Sequence, residues 1–461
     1  MKSYPHAAWI RRRTLSLAHT LVIAAIALVC APAWAAPGNT AWTSIYNPGG
    51  EPESVKPGPR GGLELATVMR VSGNIAYAAI SGPYNGEPSS HADIHLRAFD
   101  IPTGRLLWED VWTALGPLNN GVSDIAASGG RVFIVAVRGV SGDLESSEWA
   151  VRAYAGSSGT VLWEDHCPVG SADRVLATPI WVYVAGACTT GSTQLVRVRA
   201  YAAATGKLRW ETQIPALNRV SAIALSGDKL LVTGLVESTA GESLLVRAYG
   251  VTRGNLLWQR IPQTPHGTFV GVSSALLTAN SGTAYLAWSA TNGQAAVIAY
   301  YTGTGRLRWQ SYVDDQISAL ALTQGWLYVA KTGGQSMVSA YDASSGLLRW
   351  QDHPGTPAAP FTASALAVGG NQLFVGGSAF HPLHETDTNF LVRAYTLSGK
   401  LLWADDVPTS AGANVENIGW SGGFTVTSGT GFYAPPPQLS IFWQVQGNLA
   451  PARNHASFSS P

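Results

Sequence analysis

Apolar and polar positions alternate along most of the chain in short runs closed by glycine, the period of β-strands rather than helices. Residues 123–137 (SDIAASGGRVFIVAV), 221–234 (SAIALSGDKLLVTG), 318–330 (SALALTQGWLYVA) and 364–377 (SALAVGGNQLFVGG) share one plan. A strand of small residues meets a Gly-bearing turn, and a strand rich in Val, Leu and aromatics follows. A second hairpin then ends in tryptophan: AFDIPTGRLLW at Trp108, AYAGSSGTVLW at Trp163 and AYAAATGKLRW at Trp210. AYGVTRGNLLW, AYYTGTGRLRW, AYDASSGLLRW and AYTLSGKLLW repeat it at Trp258, Trp309, Trp350 and Trp403. A glycine stands four residues before each of these tryptophans, from Gly104 to Gly399.

The repeat is a four-stranded antiparallel unit, with strands A to D and the tryptophan on D. A left-handed Gly159 in a three-residue loop sets Tyr154 against Leu162 and Arg152 against Glu164. The same register pairs Arg97 with Glu109 and Arg199 with Glu211, so the arginine stripe reads as structural ion pairing rather than an anion ladder. After Trp403 come an A–B hairpin (414–429) and a C strand, LSIFWQVQG, with Gly447 at the place expected for the repeat glycine and no D strand behind it. Gly38 and Trp42 supply the missing piece at the other end. The expectation is an all-β, eight-bladed β-propeller closed by the N-terminal strand, at about 53 residues per blade. Seven blades is the alternative.

Residues 1–35 read as a signal peptide: Lys2 and Arg11 to Arg13, an apolar run Leu15 to Val29, and Ala33-Trp34-Ala35 before the cleavage point. Lipidation at Cys30 is a minority reading, because Ala27-Leu28-Val29 makes a poor lipid-attachment sequence. Residues 36–461 form a single propeller domain with no transmembrane span, periplasmic or secreted. Only 12% of the chain is charged, with 29 bases against 28 acids. Cleavage removes four of the bases and none of the acids, so nothing here offers the basic surplus that nucleic acid demands. Cys167 and Cys188 remain and are expected to form a disulfide after export. A turn near Thr178-Pro179 sets Asp173 against Val184 and Val169 against Cys188, with Cys167 on the same edge of the sheet.

The phrase resembles the repeat of pyrroloquinoline-quinone (PQQ)-type propellers, Ala-x-Asp-x-x-Thr-Gly-x-x-x-Trp. Ala98, Asp100, Thr103, Gly104 and Trp108 match it fully, and the other six copies keep Ala, Gly and Trp. The resemblance implies the propeller fold and export. It leaves function open, since the family holds calcium-dependent quinoprotein dehydrogenases as well as propellers without a cofactor, among them a scaffold of the outer-membrane barrel-assembly machinery. This chain has neither the adjacent cysteine pair usual in the alcohol dehydrogenases nor a Cys-x-x-Cys-His haem motif, so no catalytic residue is transferred.

Other candidate chemistry is weak. His381, His384, Glu385 and Asp387 lie in a Pro-bearing stretch without the helix of a His-Glu-x-x-His zinc site. His91 and His95, four apart on a strand, are too distant to share an ion. All four histidines read as solvated. Asp314-Asp315 and Asp405-Asp406 lack calcium-loop spacing. The off-phase Trp112, Trp288 and Trp326 are the tryptophans freest to serve a ligand. The favoured function is a non-catalytic module binding a protein or envelope component; the alternative is a quinoprotein-like oxidoreductase using PQQ and calcium. Tight glycine turns occupy one face, so binding is expected on the B–C and D–A connections. Those carry Tyr84, Glu87, Asp143, Glu145, Glu237, His266, His381, His384 and Glu385.

Overall fold

The computed structural model describes residues 40–46, 67–83, 92–113, 121–139, 147–190, 193–215, 217–238, 241–262, 272–323, 325–332, 337–353, 361–381, 384–407, 413–433 and 440–449. All belong to the unit Pro37–Pro461, and the expected signal peptide lies outside them. The described residues form strands and turns without a helix.

Strand β1 (Thr40–Tyr46) precedes the first blade, which holds β2 (Thr67–Ser72), β3 (Ile75–Pro83), β4 (Ala92–Asp100) and β5 (Leu106–Trp112). The second holds β6 (Gly121–Ser128), β7 (Arg131–Gly139), β8 (Ser147–Ala155) and β9 (Val161–Cys167). The third holds β10 (Gly170–Ala177), β11 (Trp181–Thr190), β12 (Thr193–Ala202) and β13 (Leu208–Ile214). The fourth is β14 (Arg219–Ser226), β15 (Lys229–Ser238), β16 (Gly241–Gly250) and β17 (Leu256–Arg260). The fifth is β18 (Val272–Ala279), β19 (Thr283–Ala290), β20 (Gln294–Tyr301) and β21 (Leu307–Asp314). The sixth is β22 (Gln316–Thr323), β23 (Trp326–Thr332), β24 (Met337–Asp342) and β25 (Leu348–Asp352). The seventh is β26 (Phe361–Gly369), β27 (Gln372–His381), β28 (His384–Thr396) and β29 (Leu401–Val407). The last sheet joins β30 (Ala413–Ser421), β31 (Phe424–Tyr433) and β32 (Ser440–Leu449) to β1.

The architecture is thus a β-propeller of four-stranded antiparallel blades. The expected count of eight blades needs correcting, while the expected closure by the N-terminal strand is present as the pairing of β1 with β32. Seven are built from four consecutive strands, whereas the remaining sheet is a composite that borrows its outer strand from the N-terminus. Its inner strand β30 touches both β26 and β2, between the seventh blade and the first. The register corrects a detail as well. Trp42 faces Gly447, as Trp108 faces Ala98 in the first blade. Gly447 therefore stands at the alanine of the repeat and not at its glycine.

The core lies between blades and is dry. Tyr154, Tyr183, Tyr201, Tyr285 and Tyr328 are each at most 1% exposed. Burial pushes the Tyr183, Tyr300 and Tyr395 hydroxyls up to about 12, so these rings pack as neutral phenols at any ordinary pH.

Candidate functional site

Six of the seven repeat tryptophans, Trp108 to Trp350, reach into the following blade. Each indole N–H donates to a turn carbonyl there: Trp108 to Gly156 at 2.8 Å, Trp163 to Ala203 at 3.0 Å, Trp210 to Val251 at 2.8 Å. Trp258, Trp309 and Trp350 do the same to Thr302, Ala343 and Leu397. The ring lies flat on the next repeat glycine. A Cβ on Gly206 would stand 2.6 Å from Trp163 Cδ2, and one on Gly254 2.4 Å from Trp210 Cε3. Both glycines have left-handed backbone, φ +68° and +67°, so conformation and space each demand glycine here. These six phased tryptophans are inter-blade latches.

A polar latch accompanies them. Arg97, Arg152 and Arg199 face Glu109, Glu164 and Glu211 across their hairpins as expected. Arg152 and Arg199 also cross to the preceding blade. Arg199 reaches Asp165 at 3.0 Å, and the Tyr201 hydroxyl donates to the same carboxylate at 2.6 Å. Arg152 and Tyr154 treat Asp110 alike, at 3.2 and 2.8 Å, and Tyr395 bonds Asp352 at 2.9 Å. The aspartate two residues after the tryptophan was the signal available in the sequence (Trp108-Glu109-Asp110, Trp163-Glu164-Asp165, Trp350-Gln351-Asp352). Burial alone would raise the Glu211 carboxyl, but hydrogen bonds from Arg199 and Arg197 hold it below its ordinary value.

The inner strands hold the channel-side chemistry. Seven of them carry a β-bulge, and the extra residue is short and polar or acidic: Ser123, Asp173, Ser221, Ser273, Ser318, Ser364 or Glu416. A bulge leaves backbone groups without ladder partners, and these side chains supply some across the blade boundary. Asp173 accepts from the Val220 N–H at 3.1 Å, Ser318 donates to the Ala363 carbonyl at 2.7 Å, and Ser364 donates to that of Val415. Asp124 accepts from Ile125 and Val175 N–H groups, with Arg70 3.6 Å away. Burial pushes the Asp173 carboxyl up, against the pull of the Val220 N–H.

The turn explains a register error. Val184 faces Val175 and Cys188 faces Gly170, where the sequence suggested Asp173 and Val169. The turn runs from Thr178 to Trp181, with the Thr178 N–H on the Trp181 carbonyl, one position later than expected; the bulge at Asp173 then takes back one residue of the offset. Cys167 and Cys188 form the disulfide, with Cα atoms 6.0 Å apart. It does not lie within one sheet: Cys167 ends β9 of the second blade, and Cys188 sits on β11 of the third.

At the opposite end, where B–C and D–A connections emerge, two of the connections expected to be loops carry strand. The segments 235–242 and 377–389 are largely strand, with Ser238 facing Gly241 and His381 facing His384. Tyr84, Glu87, Asp143, Glu145 and His266 lie outside the described residues, as do the side chains of Glu237, His381, His384 and Glu385. His95 is not solvated: it is buried on β4, its Nδ1 3.5 Å from Glu109. Nor are two of the off-phase tryptophans free. Trp288 is core, and buried Trp112 lies under the Arg138 and Arg152 guanidiniums, centroids 5.0 and 4.1 Å away. Trp326 is half-buried and stacked on Tyr328. Around Trp112 a charged cluster gathers: Arg138 pairs Glu148 at 2.8 Å, and His166 lies between Glu148 at 3.4 Å and Glu164 at 3.3 Å.

PQQ and calcium can be tested against this donor set. Calcium takes about six to eight oxygens, chiefly carboxylates and carbonyls. The inner-strand carboxylates Asp124 and Asp173 are occupied by N–H groups of neighbouring residues. Among the described residues no three His, Cys, Asp or Glu side chains converge on a metal-sized site. Asp124 and Asp173 therefore do not make a calcium site, and no step is derived through either group.

The fold is shared with solved structures that include two dehydrogenases. A europium-containing methanol dehydrogenase is 12% identical with TM-score 0.54, over 89% of this chain and 93% of that one. The quinohemoprotein alcohol dehydrogenase of Comamonas testosteroni is 12% identical with TM-score 0.51, over 90% and 77%. Sqt1 of Saccharomyces cerevisiae is 13% identical with TM-score 0.55, over 84% and 95%. At such identity these likenesses show the fold alone. No curated protein matches the chain. A family model does, over residues 38–296 and 242–434, together most of the length. The chain belongs to the PQQ-repeat propeller family described as outer membrane protein assembly factor BamB.

Proposed function

We propose that the protein is an exported, non-catalytic β-propeller that binds another protein or an envelope component through its B–C and D–A connections. The composite sheet serves as its eighth blade, closed by β1. The family match over residues 38–434, to a model described as an assembly factor, carries this reading. The inner-strand carboxylates Asp124 and Asp173, which accept from the Val175 and Val220 N–H groups of the next blade, suit a structural role. Export rests on the pattern of residues 1–35 and on the Cys167–Cys188 disulfide, which suits an oxidising compartment. Among the described residues no helix is long and apolar enough to cross a membrane.

The alternative, a quinoprotein-like oxidoreductase using PQQ and calcium, draws on the fold shared with the methanol and alcohol dehydrogenases. Titrating PQQ with calcium into purified protein, followed by absorbance and thermal shift, separates the two. The scaffold reading expects no saturable change in either signal. A saturable, calcium-dependent rise in melting temperature would overturn it in favour of the enzyme.

A further inference from the structure

The blade topology puts all A–B and C–D turns on one face, opposite the proposed partner-binding connections. Backbone hydrogen bonds place the two kinds of turn side by side, as in Gly156 N–H to Gly130 and Ala203 N–H to Ile180. This face concentrates the exposed apolar surface of the described residues. The seven residues that open the outer strands of the contiguous blades, from Leu106 to Leu401, are all aliphatic and 38–55% exposed. Ile180 and Leu347, in turns of the same face, reach 68% and 60%. Among the described residues, the large exposed apolar side chains toward the other end are Val111, Val169, Ile261 and Tyr312.

The same rim is basic. The position between repeat glycine and exposed aliphatic is Arg105, Lys207, Arg306 and Lys400 in four blades, each exposed. Arg209, Arg253 and Arg349 stand close by and are exposed too. Two acids of these turns are paired with bases, Asp342 with Arg349 at 2.6 Å and Asp228 with Lys229, and Asp100 accepts from the Thr103 N–H at 3.2 Å, so the unpaired bases of the rim, among the described residues, are Arg105, Lys207, Arg306 and Lys400 with Arg209 and Arg253. A chain that is close to neutral as a whole thus presents one strongly cationic, aliphatic-studded face.

We infer that this face docks on the surface of an anionic phospholipid bilayer. A protein partner would call for apolar residues gathered in a desolvated centre with lysine depleted. Here shallow aliphatics are spread around a ring and interleaved with Lys and Arg. A flat interface of phosphate headgroups over acyl chains matches that arrangement: aliphatics enter the headgroup boundary while bases pair with phosphates. The inference does not depend on the scaffold reading, which concerns the opposite face. Together they would hold the molecule against a membrane with its partner-binding connections turned away.

The test is vesicle flotation of the full-length protein with mixed phosphatidylglycerol–phosphatidylcholine vesicles and with pure phosphatidylcholine. One variant combines Arg105→Gln, Lys207→Gln, Arg306→Gln and Lys400→Gln; a second combines Leu208→Asn, Leu307→Asn and Leu401→Asn. All these side chains are exposed, so both variants are required to melt with the parent, and single substitutions replace any set that does not. The parent is expected to float with the anionic vesicles and far less with the neutral ones. Binding should fall about fivefold for each base removed, and the asparagine set should weaken it too. Equal flotation of parent and glutamine variant, or equal binding to both vesicle types, would overturn the inference. So would a photo-crosslinker at Lys207 that, in intact envelopes, labels protein instead of lipid.

Discussion

Replacing Gly206 by alanine isolates the latch between blades, and Gly227→Ala supplies its control. Both glycines have left-handed backbone, φ +68° and +59°, so alanine strains each of them. That strain costs about 1–2 kcal/mol. Around Gly227 a Cβ meets nothing within 4 Å, whereas at Gly206 it would sit 2.6 Å from Trp163 Cδ2 and 2.8 Å from Cε3 and Cγ. Trp163 must move. It then loses its hydrogen bond to the Ala203 carbonyl, worth about 1 kcal/mol. It also loses part of its contact with the Tyr201 ring, 5.6 Å away between centroids, worth roughly another 1 kcal/mol. Gly206→Ala should therefore cost about 3–4 kcal/mol against about 1–2 for Gly227→Ala. Urea unfolding followed by tryptophan fluorescence, compared at the midpoints, measures the difference. Equal midpoints for the two variants would refute the latch.

Asp165→Ala strands the Tyr201 hydroxyl and one arm of Arg199 and should cost about 1–3 kcal/mol; a melting temperature within error of the parent would contradict this. Asp173, raised by burial, favours the folded state most when protonated, and that contribution is lost as pH rises through its folded pKa. Asp173→Asn, which keeps an acceptor for the Val220 N–H, should gain on the parent as pH rises above the ordinary carboxylate range, read from melting temperature across a pH series. Asp173→Ala should fall below both. Reducing the Cys167–Cys188 bridge should remove on the order of 3 kcal/mol, and thiol titration of the exported protein in denaturant should find no free sulfhydryl from this pair.

The blade was legible because its determinants are local and repeated. Alternation, a left-handed glycine and a tryptophan four residues on recur seven times, and the ion pairs Arg152–Glu164 and Arg199–Glu211 follow from the hairpin register alone. What the sequence hid lies between blades. Asp165 bonds Tyr201, 36 residues ahead, and the hairpin register gives no hint of it. The bulges were missed because one extra residue in a small-residue strand leaves the hydrophobic pattern nearly unchanged, and Asp173 came to be paired with Val184 because the turn falls one position later than Thr178-Pro179. Gly447 misled for a similar reason: a glycine near a strand end looks like the repeat glycine until its partner strand, β1, fixes the register. His95 looked solvated because a lone imidazole carries no sign of the Glu109 that receives it from the neighbouring strand. The partner-binding end was the least legible, since its connections do not repeat.

The central claim is that the B–C and D–A end, and not the enzyme-like channel, is what this propeller offers to another macromolecule. Photo-crosslinking side chains placed at Ile261 and Tyr312, which are 57% and 53% exposed at that end, test it in intact envelopes, with Ser345 in a C–D turn as the opposite-face control. The account predicts one discrete protein adduct from Ile261 and Tyr312 and none from Ser345. A protein adduct from Ser345 alone would contradict it.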